Sequence, residues 1–210
     1  RFIGKSETRA KLGLVVLGFG LMFYGLEAID DAVKPLREHE AFMTWMRTLG
    51  ENPVLGALVG LVFTVAVQSS SATVAVVITL AGSNMISLPA GVAIMLGAEI
   101  GTCADTLVAT IGRGRPAVRT GVFHLGFNLT MACIGIALAP GLIHLAQLVS
   151  PGANVGRQIA NAQMIFNVLG VAAVLPFLPM FARALEKLIP DRSGSPMPTE
   201  PRFVSEAYFM

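Results

Sequence analysis

The sequence predicts an all-α integral membrane protein, and three observations carry that prediction. Hydrophobic residues make up 54% of the 210 and charged residues only 13%, against roughly 25% charged in an average soluble domain. The apolar residues gather into runs, Leu12 to Ala28, Val54 to Ala81, Ile86 to Ile111, Thr120 to Pro140 and Val155 to Leu178, of the order of the ~20 residues a helix needs to cross a bilayer. Inside the second run stand four consecutive hydrogen-bonding side chains, Gln68, Ser69, Ser70 and Ser71. Such a polar break in hydrocarbon is expected only where the backbone faces protein or a polar cavity.

The first run, at about 12–28, follows Arg1, Lys5, Arg9 and Lys11. It is longer than a signal-peptide core of about 7 to 15 residues and has no small-x-small cleavage site, so it reads as a membrane helix. Because the chain starts at Arg1 without a methionine, it reads as a piece of a longer protein. Asp30 to Glu51 interleaves Asp, Glu, Lys and Arg with Phe42, Trp45 and Met46, the pattern of an amphipathic connector lying at the membrane interface.

The run at 54–82 is expected to break at 68–71. At ~1.5 Å per residue its arms are about 21 and 16 Å long, both short of a ~30 Å hydrocarbon core, so they form either a re-entrant hairpin or, together, one broken spanning helix. A second break is expected in the run at 86–111, at 97–102, where Gly97-Ala-Glu99-Ile-Gly101-Thr102 places two glycines and a carboxylate among apolar residues and Thr102 can cap the following arm. The alternative for small residues in a membrane helix is close helix packing. IGRGRPAVRT, from Ile111 to Thr120, reads as a loop at a membrane face. Helices are expected at about 120–140 and 155–178, making 1–190 one membrane domain. The tail at 191–210, with Pro196, Pro198 and Pro201, is expected to be disordered.

Basic residues decide the topology. If each run crossed once, the N-terminus and the loop bearing Arg113, Arg115 and Arg119 would lie on opposite sides, against the positive-inside rule. A re-entrant hairpin at QSSS removes the conflict. The N-terminus, the Arg113 to Arg119 loop and the C-terminus are then all cytoplasmic in a multi-pass protein of the cell membrane.

The break has a chemistry. A helix starting near Ala72 aims free N–H groups at its ligand, which favours an anion, and the serine hydroxyls add donors that rotate. A helix ending near Val67 leaves carbonyls that suit a cation, as does the Gln68 amide oxygen. Paired discontinuous helices of this kind bind an anionic substrate beside its coupling ion in secondary transporters. The reading is therefore a substrate site at Ser69, Ser70, Ser71, Ala72 and Thr73, and a cation site drawn from Gln68, Gly97, Glu99, Gly101, Thr102, Asn128 and Asn167.

QSSSATVAVVITLAG, preceded by NPVLGALVGLVFTVAV and followed by GAEIGT, resembles the signature of the type II sodium/phosphate cotransporter family. The later segments HLGFN, RQIAN and QMIFN extend the resemblance, which runs from about Lys11 to Pro190. It implies sodium-coupled transport of inorganic phosphate, with sodium at Gln68, Ser69 and Thr102. It also implies one half of an inverted-repeat transporter, the second repeat, whose partner is the missing first repeat or a second copy of the chain. The chain departs from the family pattern at Glu99, where asparagine is usual, and at Thr102 and Cys103, where two threonines are usual. A carboxylate beside an anion site must be protonated or hold a cation, so Glu99 is expected to serve the coupling ion, sodium or a proton.

Other polar residues are less specific. Asp105 is either functional or paired with an arginine of the following loop, and burial of such acids is costly. His124 with Asn128, and Gln163 with Asn167, are i, i+4 pairs on helix faces, read as interhelical hydrogen bonds or, for Asn128 and Asn167, cation ligands. His144 reads as a solvated loop histidine. Cys103 and Cys133 show neither disulfide nor zinc spacing, and a net charge of +2 gives no reason to expect nucleic acid. Two rival functions are an intramembrane serine hydrolase, with a QSSS serine and His124 as base, and a phosphate sensor or non-cycling subunit. The first lacks a G-x-S-x-G elbow, and the sequence favours a carrier over an enzyme.

Overall fold

The computed structural model describes residues 7–191, and those residues form helices joined by short turns, with no strand among them. Helix α1 (Glu7–Val33) is apolar on every side and buries no residue, so its surface is left for lipid or for further protein. Its polar end is held by Asp30, which accepts a hydrogen bond from Ser83 at 2.7 Å and pairs with Lys34 and Arg37. The connector expected as one amphipathic stretch is divided. Asp30 and Asp31 remain in α1, a 3-10 turn covers Lys34–Glu38, and only α2 (Glu40–Glu51) is amphipathic, with Met46 and Leu49 buried.

A 113° bend separates α2 from α3 (Pro53–Val67). Asn52 makes the corner: its side chain caps Leu55 N–H at 3.1 Å, and Pro53 opens the helix where no N–H is needed. At Gln68 and Ser69 the chain reverses into α4 (Ser70–Gly82). The reversal is measured by Thr64 and Thr73, whose hydroxyls meet at 2.7 Å, whereas nine residues of continuous helix would separate them by roughly 13 Å.

Helix α5 (Leu88–Ala109) lies at the centre of the molecule, with Leu88 and every residue from Ala90 to Ala98 buried. The expected break at 97–102 is overturned, because α5 runs through this segment without interruption. The glycines there serve close packing. A Cβ on Gly97 would overlap the Ala57 backbone, one on Gly60 the Ile94 backbone, and one on Gly101 the side chain of Thr64. Two small-residue ridges thus let α3 and α5 run parallel at short range, and each glycine keeps its helical conformation because the neighbouring backbone supports it.

Helix α6 (Arg115–Ala137) follows a turn at Ile111 to Gly114, so Arg115 and Arg119 lie on a helix and not in a loop. α7 (Ala139–Leu148) follows a bend at Leu138 and contains His144, which is exposed but helical. α8 (Val155–Val174) packs against α4 and α5, with Ile159 and Phe166 in the core. A short 3-10 turn leads into α9 (Leu178–Leu188). Arg119 fastens this last helix to α6, donating to Ile189 O at 2.9 Å and meeting Asp191 at 3.0 Å. The tail assigned to disorder lies, from residue 192, outside the described residues, as do Arg1 and Lys5 of the N-terminal basic cluster.

Four helical segments among the described residues, Glu7–Glu38, Leu88–Ala109, Arg115–Ala137 and Val155–Leu188, are long and apolar enough to cross a membrane, and α2 with α3 would make a fifth if counted as one bent span.

Candidate functional site

The hairpin tip brings two helix ends to one point. Gln68 closes α3 in the left-handed region, at φ 58° and ψ 27°, with its N–H on Thr64 O. A non-glycine residue in this region costs about 1 kcal/mol or more. Beyond the Gln68 bond, the carbonyls of Val65, Ala66 and Val67 accept no hydrogen bond among the described residues. Ser69 is the extended N-cap of α4, and its Oγ accepts from Ala72 N–H at 3.2 Å. Thr73 N–H reaches Ser69 O at 3.1 Å. Ser70 and Ser71 therefore carry N–H groups at the head of α4 that have no partner among the described residues. Gln68 and Ser71 are exposed, and Ser69 and Ser70 half-buried.

The expected substrate residues accordingly divide. The hydroxyls of Ser69, Ser70 and Ser71 can each donate outward. Ala72 cannot offer its N–H, because Ser69 already caps it. Thr73 is buried, 1% exposed, and its hydroxyl bonds Thr64 and Ser69 O, so its place is inside the hairpin and not at the anion.

The expected cation residues divide as well. Gly97 and Gly101 are buried in the α3–α5 contact, and their carbonyls belong to a continuous helix. Thr102 caps nothing: its Oγ1 donates back to Ala98 O at 3.3 Å in its own helix. Asn128 is buried and donates to His124 O at 3.0 Å, beside Cys103, whose thiol lies 3.6 Å from the same carbonyl. For Gly97, Gly101 and Thr102, sequence reasoning assigned these roles from a helix break that does not exist.

Glu99 is different. One carboxylate oxygen, Oε1, accepts from Gln163 Nε2 at 3.3 Å and from Asn167 Nδ2 at 3.4 Å, so the i, i+4 amide pair of α8 converges on the acid of α5. Glu99 has no ion-pair partner among the described residues. The register puts this cluster near the height of the hairpin tip. Gly101, two residues on from Glu99 in α5, lies against Thr64, whose hydroxyl meets that of Thr73 just inside the tip. Gln163 was foreseen as half of a pair but not as a ligand to Glu99. Its i, i+4 spacing from Asn167 was the available signal, and it needed the α5–α8 contact to be read.

Asp105 is exposed and, among the described residues, makes no ion pair with Arg113, Arg115 or Arg119, the last of which pairs with Asp191. His124 makes no hydrogen bond to a QSSS serine, and its Nδ1 is buried without a partner among the described residues.

Fold and site define an all-helical membrane protein in which two helix ends, one rich in carbonyls and one in N–H groups, meet within apolar sequence. The family model described as Na+/Pi-cotransporter matches residues 32–166, and the chain belongs to that family. It is 24% identical over 182 residues to the uncharacterized protein YqeW of Bacillus subtilis, covering 87% of this chain and 59% of that protein. It is 28% identical over 196 residues to the putative inorganic phosphate export protein YjbB of Escherichia coli O157:H7, covering 90% of this chain and 35% of that one. Over 108 residues it is 39% identical to sodium-dependent phosphate transport protein 2B of Homo sapiens, covering 49% of this chain and 16% of that one. The chain thus spans about 59% and 35% of the length of the first two of these relatives. No solved structure matches it.

Proposed function

We propose that this chain forms one half of a carrier that couples the movement of inorganic phosphate to sodium, with the QSSS tip lining both sites. The observation that carries the reading is the pairing of opposed helix ends at Gln68 and Ser69. Phosphate meets the N–H groups of Ser70 and Ser71 and the hydroxyls of Ser69, Ser70 and Ser71, where the α4 dipole favours negative charge. Sodium, a hard cation suited to oxygen ligands, meets the carbonyls of Val65, Ala66 and Val67 and the Gln68 amide oxygen. Glycine would adopt the backbone of Gln68 without strain, which supports a use for the glutamine side chain itself.

Glu99, a carboxylate held by two amides and no base, supplies a second cation position for sodium or a proton. The α3–α4 hairpin enters and leaves the membrane by one face, placing the N-terminus, the arginine-bearing turn before α6 and the C-terminus in the cytoplasm of a multi-pass cell-membrane protein. The exposed apolar surface of α1 supports a partner half, either a preceding repeat or a second copy of the chain.

The test is radiolabelled phosphate flux in proteoliposomes holding the full-length protein, measured inward and outward because one relative is named for export. Flux that follows the sodium gradient, and is lost in Gln68→Ala and Ser70→Ala, is expected. Flux indifferent to sodium would remove the coupling, a pH gradient that replaces sodium would assign the ion to Glu99, and phosphate binding without flux would make the protein a sensor.

A further inference from the structure

We propose that Thr64 is a positioning residue for the QSSS site: its hydroxyl, at the head of a hydrogen-bonded relay through Thr73 to the Ser69 carbonyl, holds the hairpin tip in its ligand-binding shape. For its transport readout this rests on the function proposed above.

The relay follows from counting protons. Thr73 Oγ1 lies 3.1 Å from Ser69 O, and a carbonyl can only accept, so the single hydroxyl proton of Thr73 belongs there. Thr64 Oγ1 is 2.7 Å from Thr73 Oγ1, so Thr64 must be the donor in that bond. Reversing it would leave the Ser69 contact without a proton. Both hydroxyls are shut away from solvent, Thr64 at 0% and Thr73 at 1% exposure, where an unmatched polar group is costly.

The relay acts on one peptide. Ser69 O receives both the hydroxyl and the backbone N–H of Thr73, each at 3.1 Å. Two bonds to one carbonyl fix the extended Ser69 conformation, φ −153° and ψ 109°. That conformation sets Ser69 Oγ over Ala72 N–H and leaves the N–H groups of Ser70 and Ser71 facing outward. Among the described residues, the Thr64–Thr73 bond is the side-chain hydrogen bond that ties the helix offering carbonyls to the helix offering N–H groups.

A third element completes the arrangement. Gly101 of α5 lies under Thr64, and a Cβ there would stand 2.7 Å from Thr64 Cβ. The glycine expected to bind a cation instead leaves room for the residue that aligns the tip. Packing alone would be served as well by valine, which matches threonine in shape but has no hydroxyl to satisfy, so the buried hydroxyl points to the relay.

Thr64→Val, Thr64→Ser and Thr73→Val in the full-length protein test this. Thr64→Val is expected to raise the phosphate and sodium KM about 5-fold, the equivalent of one net hydrogen bond, with the maximal rate changed less than about 2-fold. Thr64→Ser should restore both, and Thr73→Val should match or exceed Thr64→Val. Unchanged KM in Thr64→Val, or Thr64→Ser as impaired as Thr64→Val, would overturn the proposal. Amide hydrogen exchange at Ala72 and Thr73 gives a readout free of transport, and faster exchange in Thr64→Val than in wild type is expected. Should the wild type carry no phosphate, the transport function falls, and the exchange result alone decides: unchanged exchange overturns the role of Thr64.

Discussion

Removing the Ser69 hydroxyl should weaken fold and site together, whereas removing the Ser71 hydroxyl should weaken the site alone. Ser69 Oγ caps α4 through Ala72 N–H at 3.2 Å, and loss of such a cap costs about 1 kcal/mol. Helix α4 contributes Val74, Val77 and Ala81 to the core, so the loss is felt by the whole fold. In a chain of this size about 1 kcal/mol corresponds to roughly 2–4 °C in Tm. Ser71 is exposed and its hydroxyl makes no hydrogen bond among the described residues, so Ser71→Ala should leave Tm nearly unchanged. Each hydroxyl that donates to ionised phosphate should be worth about 1.5–3 kcal/mol, roughly 10- to 150-fold in Kd. Thermal melting by circular dichroism in detergent, with phosphate affinity by isothermal titration on the same samples, separates the two effects. Ser69→Ala melting with wild type would refute the cap. Ser71→Ala melting as low as Ser69→Ala would refute the division of roles.

Gly97→Val should prevent α3 and α5 from closing, because the added atoms meet the Ala57 backbone and overpacking of this kind costs at least about 1–3 kcal/mol. Gly82→Ala, with open space around it, is the tolerated control, and a monodisperse, normally melting Gly97→Val protein would end the packing argument. Glu99→Gln keeps an oxygen for Gln163 and Asn167 but removes the charge. Sodium KM should rise about 5-fold, as expected for losing about 1 kcal/mol of charge-assisted bonding, and a sodium dependence identical to wild type would dismiss the cation role. Arg119→Ala should loosen α9 from α6, read as faster proteolysis after Leu188. The stability change should stay under about 1 kcal/mol, since Asp191 is 64% exposed; protease resistance equal to wild type would show that α9 is held by its apolar face alone.

The break was legible because it violates its surroundings: four polar side chains in an apolar run leave few explanations, although it is confined to Gln68 and Ser69, with Ser70 and Ser71 already in α4. The false break at Gly97 to Thr102 shows the opposite limit. Glycine at i and i+4 reads equally as a broken helix or as a contact ridge, and the difference lies in whether another backbone supports it. For Gly97 that backbone is Ala57, forty residues away. The acid at Glu99 was visible, but its partners were not, since Gln163 and Asn167 meet it across the α5–α8 interface.

By itself the sequence determined the membrane class, the helical content and the polar tip, because composition, run length and side-chain type act locally and need no partner to be read. Only the tertiary structure decided that α5 is unbroken, that Thr73 and Gly101 face inward, and that Thr64 meets Thr73 across the hairpin. Those outcomes depend on distances between helices, and hydrogen-bond donors and close backbone contacts are matched only when α3, α4, α5 and α8 are packed together.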